Sequence, residues 1–189
     1  MKNTKAARAL GAAAVLALTT SAWAAPRALD PAKSQINFSI KQMGVAVSGQ
    51  FKKFEAQVDL DEAAPENTAA QVTVSIASLT TGNADADEIA LDTPWLDRLG
   101  FPTAQFKSTA IKALGGDRYE ASGTLTIRGN SRNIRVPMQL KPQDGGAVVA
   151  SGEFTLVRTD FGIGGGEWNE GDLVAAQVPV TFSLWLDAP

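Results

Sequence analysis

Apolar and polar residues alternate with a period of two along most of this chain. That constrains its fold more than anything else in the sequence, because only a strand puts successive side chains on opposite faces. Ile36, Phe38 and Ile40 alternate with Asn37, Ser39 and Lys41. The rhythm returns at Val58 and Leu60, at Val72, Val74 and Ile76, and at Leu125 and Ile127. It recurs at Val136, Met138 and Leu140, at Phe154 and Leu156, and at Val178, Val180, Phe182 and Leu184. Turn-forming strings separate the runs at short spacing: Gly115-Gly116-Asp117, Gly129-Asn130 and Pro142-Gln143-Asp144-Gly145-Gly146. Short strands joined by hairpins predict an all-β antiparallel meander. About eight such strands closed into a barrel leave no exposed edge and can hold one small ligand. A two-sheet sandwich shows the same alternation and stays open at this point.

One segment breaks the pattern. Over residues 83–99 the acidic Asp85, Asp87 and Glu88 come first, where they suit a helix N-terminus and its dipole. Ile89, Leu91, Trp95 and Leu99 then fall near one face at helical spacing. Thr93-Pro94 reads as a cap followed by proline at the first helical position, so the spacing predicts a short two-helix insertion around 84–99. An apolar-faced helical segment beside a barrel is a natural lid or plug.

Residues 1–24 read as a secretory leader, with basic Lys2, Lys5 and Arg8, an apolar run from Ala9 to Leu18, and Ala22-Trp23-Ala24 at a cleavage position near Ala24. The run is shorter than the ~20 apolar residues a bilayer span needs. The sequence thus predicts an exported, periplasmic protein with one domain over residues 25–189. Without the leader, fourteen basic residues face twenty acidic ones, a net charge of −6. An acidic surface argues against nucleic acid and anionic membranes as main partners. The chain has no cysteine and no histidine. It therefore lacks disulfides, the usual zinc ligand sets, Ser-His and Cys-His nucleophile pairs, and the commonest neutral-pH proton shuttle.

The largest chemical resource is apolar. Aromatic rings are spread over nearly every expected element, and they either fill a core or line a tunnel, since a filled and a hollow barrel share one alternation. The stretch Arg158-Thr159-Asp160-Phe161-Gly162-Ile163-Gly164-Gly165-Gly166-Glu167-Trp168 is rich in glycine, which is costly in backbone entropy and signals unusual dihedrals or close approach. The phosphate-loop spacing and its lysine are missing, so a bulged rim loop is the simpler reading. Carboxylates cluster at Asp59-Leu60-Asp61-Glu62 and Asp85-Ala86-Asp87-Glu88. Nothing in their spacing sets up a glycosidase pair or an EF-hand calcium loop.

Five segments are distinctive in their order: Ser34-Gln35-Ile36-Asn37-Phe38-Ser39-Ile40; Gly49-Gln50-Phe51-Lys52-Lys53-Phe54 running on to Val58-Asp59-Leu60-Asp61; Phe101-Pro102-Thr103-Ala104-Gln105-Phe106-Lys107-Ser108; Gly123-Thr124-Leu125-Thr126-Ile127-Arg128-Gly129; and Arg158-Thr159-Asp160-Phe161-Gly162-Ile163-Gly164 with Trp168. Together, over essentially the whole chain after the leader, they resemble the YceI-like family of polyisoprenoid- or lipid-binding proteins. The resemblance implies an eight-stranded antiparallel, lipocalin-like barrel. A polyisoprenoid, isoprenoid quinone or fatty acyl or amide chain would lie in its interior, and the protein would act as a periplasmic carrier. The helical segment departs from the commonest family pattern, with Asp87-Glu88 before Ile89 where many relatives carry a histidine-containing start. The implied tunnel candidates are Phe38, Ile40, Phe51, Phe54, Leu91, Trp95, Phe106, Leu125, Ile127, Phe154, Phe161, Trp168 and Phe182. Asn83, Arg158 and Asp160 are candidates for a head-group rim. This reading assigns no catalytic residue, no metal and no required cofactor beyond a bound isoprenoid or quinone lipid. It also allows a homodimer. Two alternatives stay open: a solid-core stress-response or protein-interaction module, and a hydrolase built on paired carboxylates.

Overall fold

The computed structural model describes residues 25–61, 64–168, 171 and 173–189. The expected leader and Glu62 of the first acidic cluster lie outside the described residues. Ten strands form one sheet: β1 (Ala25–Gln42), β2 (Val45–Phe51), β3 (Phe54–Leu60), β4 (Ala69–Ser75), β5 (Leu79–Thr80), β6 (Thr103–Gly115), β7 (Arg118–Ile127), β8 (Asn130–Pro142), β9 (Val148–Val157) and β10 (Gln177–Leu186). β2 and β3 are halves of one stave broken at residues 52–53, and β4 and β5 are halves of another, broken by a 3₁₀ turn at Ile76–Ser78. The sheet closes where β1 pairs with β10, from Leu29 opposite Leu186 to Phe38 opposite Val180. The result is a closed, eight-stranded antiparallel barrel, which excludes the sandwich.

The period-two pattern works as expected in β7, where Ala121, Gly123, Leu125 and Ile127 are buried and the residues between them are half-buried. The β1–β10 seam absorbs an irregularity between Asp30 and Gln35. Ser34 bridges it, its hydroxyl donating to the Asp30 carbonyl (2.7 Å) and accepting from the Trp185 N–H (2.8 Å). The β7–β8 turn lies one residue earlier than the sequence suggested. Arg128 and Gly129 both have positive φ (48° and 71°), as a two-residue turn matching the strand twist requires.

α1 (Ala84–Leu91) is the helix of the insertion. Asn83 caps it, its side-chain oxygen accepting from the Asp85 and Ala86 N–H groups (3.0 and 3.2 Å). The expected second helix does not form. Instead the backbone N–H groups of Leu96 and Arg98 fold back onto the Ala90 and Leu91 carbonyls, and those of Trp95 and Asp97 onto Asp92. Residues 92–98 thus satisfy the open carbonyls of α1 rather than starting a new helix. The helical period stops at Leu91, which is buried, so Leu99 is not on its face and is 90% exposed.

The end of the barrel away from α1 is shut. There Leu186 and Val148 are buried, and Arg27 donates to the Gly146 carbonyl (2.8 Å). At the α1 end, β2 pairs with β1 along its whole length, but β5 takes up only Gln50 and Phe51. Residues 45–49 therefore have a strand on one side only, and α1 follows directly after β5.

Candidate functional site

The barrel is hollow. A cavity of about 400 Å³ runs through its interior, within the range typical of small-molecule sites. Every apolar residue of the alternating runs in the sequence lines it, from Ile36 to Leu184. Phe38 and Phe51 meet in its wall with ring centroids 5.6 Å apart. No carboxylate belongs to the wall among the described residues, and Arg158 supplies its one formal charge. The wall can therefore remove a long apolar molecule from water, and little else.

One side of the α1 end is capped by a bonded assembly built around Arg158. This residue is 1% exposed, and its five N–H donors all meet backbone carbonyls. Nε reaches Ala175 (3.1 Å), Nη1 reaches Ile163 and Gly164 (2.8 and 2.9 Å), and Nη2 reaches Val174 (2.8 Å) and Trp168. Its guanidinium carbon stands 5.4 Å from the centre of the Trp95 ring, and Trp95 in turn lies 5.9 Å from Trp168. Burial pushes the guanidinium below its usual value. Gly164 donates to the Pro94 carbonyl (3.0 Å), Arg128 to Pro94 (2.9 Å) and Gly162, and Asn130 to the Phe161 carbonyl (3.0 Å). The glycines follow from this packing. A Cβ at Gly164, where φ is +67°, would stand 2.6 Å from Arg158 Nη1 and 2.9 Å from the Trp95 ring.

The other side is open. Ile89 of α1 lines the cavity and is still 62% exposed, and Gln42 and Val47 of the β1–β2 hairpin line it from across the mouth. The apolar Met43, Val45 and Leu173 are exposed around the same end, with Met43 N–H bonded to the Leu173 carbonyl (2.7 Å).

The sequence matches the YceI-like domain over residues 28–186, essentially the whole barrel. The chain belongs to the YceI-like family. It is similar in structure to BcnA of Burkholderia cenocepacia, at 36% identity and a TM-score of 0.80, covering 83% of this chain and 98% of that one. A polyisoprenoid binding domain from Saccharophagus degradans, implicated in plant cell wall breakdown, shares the fold at 18% identity and a TM-score of 0.69, covering 86% and 98% of the two chains. A UPF0312 protein of Pseudomonas aeruginosa is 32% identical over 171 residues, covering 86% of this chain and 88% of its own length.

Within this YceI-like barrel, Phe38, Ile40, Phe51, Trp95, Phe106, Leu125, Ile127, Phe154 and Phe182 line the cavity. Four other tunnel candidates stand elsewhere. Phe54 is buried in the cluster of Val58 and Leu60, Leu91 packs with Ile76 and Leu79 under α1, and Phe161 packs with Leu125, Ile127 and Ile163. Trp168 lies against Trp95 with the rings tilted by 48°, outside the wall. The three rim candidates do not converge. Asn83 is occupied as the α1 cap, Asp160 is exposed outside the cavity wall, and Arg158 lines the wall as a buried residue whose donors are held by backbone carbonyls. The tunnel candidates left out wall residues such as Val47, Ile163, Val174 and Val178. Alternation had already marked Val178.

Of the acidic clusters, Asp85 and Asp87 occupy the first turn of α1, Glu88 pairs with Arg98 (2.9 Å), and Asp59 and Asp61 lie at the shut end. The Glu88 carboxyl is held low and the Arg98 guanidinium high by their mutual hydrogen bonds.

Proposed function

We propose that the protein binds one long, amphiphilic apolar molecule inside the barrel and carries or sequesters it in the periplasm. A polyisoprenoid, an isoprenoid quinone or a fatty acyl or amide chain fits this reading. The observation that carries it is the continuous apolar cavity, closed at one end and open at the other beside α1. Each methylene group moved from water into such a wall contributes about 0.8 kcal/mol before the cost of association. Membership of the YceI-like family supports it. The polyisoprenoid-binding description of the Saccharophagus domain supports it through the shared fold. The leader-like residues 1–24 support the periplasmic address.

Binding is favoured over turnover because the described carboxylates of both clusters stand outside the cavity, where no enclosed substrate meets them. A solid-core interaction module has no use for the hollow.

Native mass spectrometry of gently purified protein tests the proposal. A complex heavier than the chain by one lipid, released by organic extraction and reformed with added lipid, is the expected result. A barrel that comes out empty and also takes up neither farnesol nor hexadecanoate would overturn it.

A further inference from the structure

We infer that Gly49 sets the width of the cavity through the Phe38 ring that lies on it, and so decides how bulky an apolar chain the barrel admits. The inference rests on the binding reading above and adds the residue pair that limits the girth of the ligand.

An eight-stranded barrel is just wide enough for its inward side chains to fill it, and a side chain on a strand normally stands perpendicular to the sheet. Among the described residues five phenylalanines belong to this wall, Phe38, Phe51, Phe106, Phe154 and Phe182, and five rings pointing at the axis would crowd it. Three of them lie down instead. Phe38 of β1 stands directly opposite Gly49 of β2, and Phe182 of β10 opposite Gly152 of β9. Phe106 of β6 faces Leu125 of β7, which leaves Gly123 on its diagonal. In each case the far end of the ring takes the place of the side chain that the glycine lacks. A Cβ at Gly49 would overlap Phe38 Cζ and stand 2.7 Å from its Cε1. One at Gly123 would stand 2.6 Å from Phe106 Cζ, and one at Gly152 would stand 2.7 Å from Phe182 Cζ. A ring whose tip rests on the neighbouring strand runs along the wall, so the glycines leave the axis free.

The three pairs are not equivalent. At Gly123 and Gly152 a Cβ would also press on backbone, the carbonyl oxygens of Lys107 and Pro137, so a side chain there strains the sheet itself. At Gly49 the three nearest atoms all belong to the Phe38 ring, and φ is not positive, so alanine fits the backbone and only the ring has to move. The ring has one way to go. Phe51, the next inward residue of β2 toward the shut end, holds its centroid 5.6 Å from that of Phe38. Ile40 and Val47, the next inward pair toward the mouth, close the other side. The remaining space is the hollow, so a displaced ring narrows it.

The test compares hexadecanoate with phytanate, which has the same carboxylate and the same sixteen-carbon backbone but carries four methyl branches. Isothermal titration calorimetry gives the affinities, and circular dichroism confirms that each variant is folded. In Gly49→Ala, phytanate should weaken at least tenfold and hexadecanoate less than about threefold, because a methyl group denied its place in an apolar pocket costs about tenfold or more. Adding Phe38→Leu to that variant removes the displaced ring and should restore most of the phytanate affinity, which damage to the sheet would not allow. Phe38→Leu alone should raise the ratio of phytanate to hexadecanoate affinity severalfold, a result that does not depend on Gly49→Ala folding. Undiminished phytanate binding in folded Gly49→Ala, an equal loss of both acids, no rescue by Phe38→Leu, or an unchanged ratio in Phe38→Leu alone would each overturn the inference while leaving the carrier reading intact. Failure of the parent to bind either acid or farnesol would remove the carrier reading and this inference together.

Discussion

Gly164 and Arg158 are fitted to each other: the Arg158 Nη1 group donates to the Gly164 carbonyl (2.9 Å) and to that of Ile163 (2.8 Å), and it occupies the space a Cβ at residue 164 would need. Gly164→Ala therefore has two costs, a left-handed backbone at a residue with a side chain and a clash with a rigidly held guanidinium. We expect a loss of about 2–4 kcal/mol, lowering the melting temperature by roughly 5–15 °C. Differential scanning calorimetry measures it. A change within about 1 °C would mean that the loop yields freely.

Arg158→Lys keeps the charge but has three donors for five carbonyls. At least two buried carbonyls lose their partners, at about 1–3 kcal/mol each. Urea unfolding should show a stability loss of about 2–5 kcal/mol with an unchanged slope. A variant as stable as the parent would show that these bonds are dispensable.

Ala70 of β4 lines the cavity and has room in front of it. Ala70→Phe should fill part of the hollow and weaken binding of a fluorescent fatty acid at least tenfold, about 1.4 kcal/mol, with the fold retained. Displacement titration with circular dichroism as a fold check decides the matter. Undiminished affinity in a folded variant would place the ligand elsewhere.

Asp87 accepts from the Thr81 hydroxyl (2.7 Å) and the Thr81 N–H (2.6 Å), and these bonds, the hydroxyl first, hold its carboxyl below its ordinary 3.8. A carboxyl depressed in the folded state stabilises that state above its unfolded value, and the contribution is lost as pH falls through the folded value. The parent should therefore exceed Asp87→Asn in stability at pH 6, and the gap should close below about pH 4. Chemical denaturation across that range measures the gap. A gap that widens toward acid would contradict the hydrogen-bond geometry.

Alternation located the cavity wall better than aromaticity did. A residue such as Val178 or Val72 faces the hollow because a strand leaves it no other face than the one its neighbours lack. Phe161 and Trp168, named as tunnel candidates through the resemblance, belong to the cap over the barrel end, where large apolar surfaces are needed as much as in a tunnel. Hollow and filled interiors share one sequence pattern, so the cavity itself could be seen only in three dimensions. The burial of Arg158 was hidden for a related reason. Arginine is almost never fully buried unless its donors are met, and here five acceptors arrive from residues 163–175, brought together by glycine dihedrals that spacing does not reveal. The second helix failed because the residues after Leu91 found acceptors behind them before they could propagate forward.

The missing neighbour along residues 45–49 has a mechanical consequence. Elsewhere in the wall, opening a gap between staves would break a ladder of backbone hydrogen bonds, a process close to unfolding. Among the described residues no such bond joins α1 to β2, so that flank parts at the cost of side-chain contacts alone. That flank can therefore widen while the rest of the barrel stays stitched.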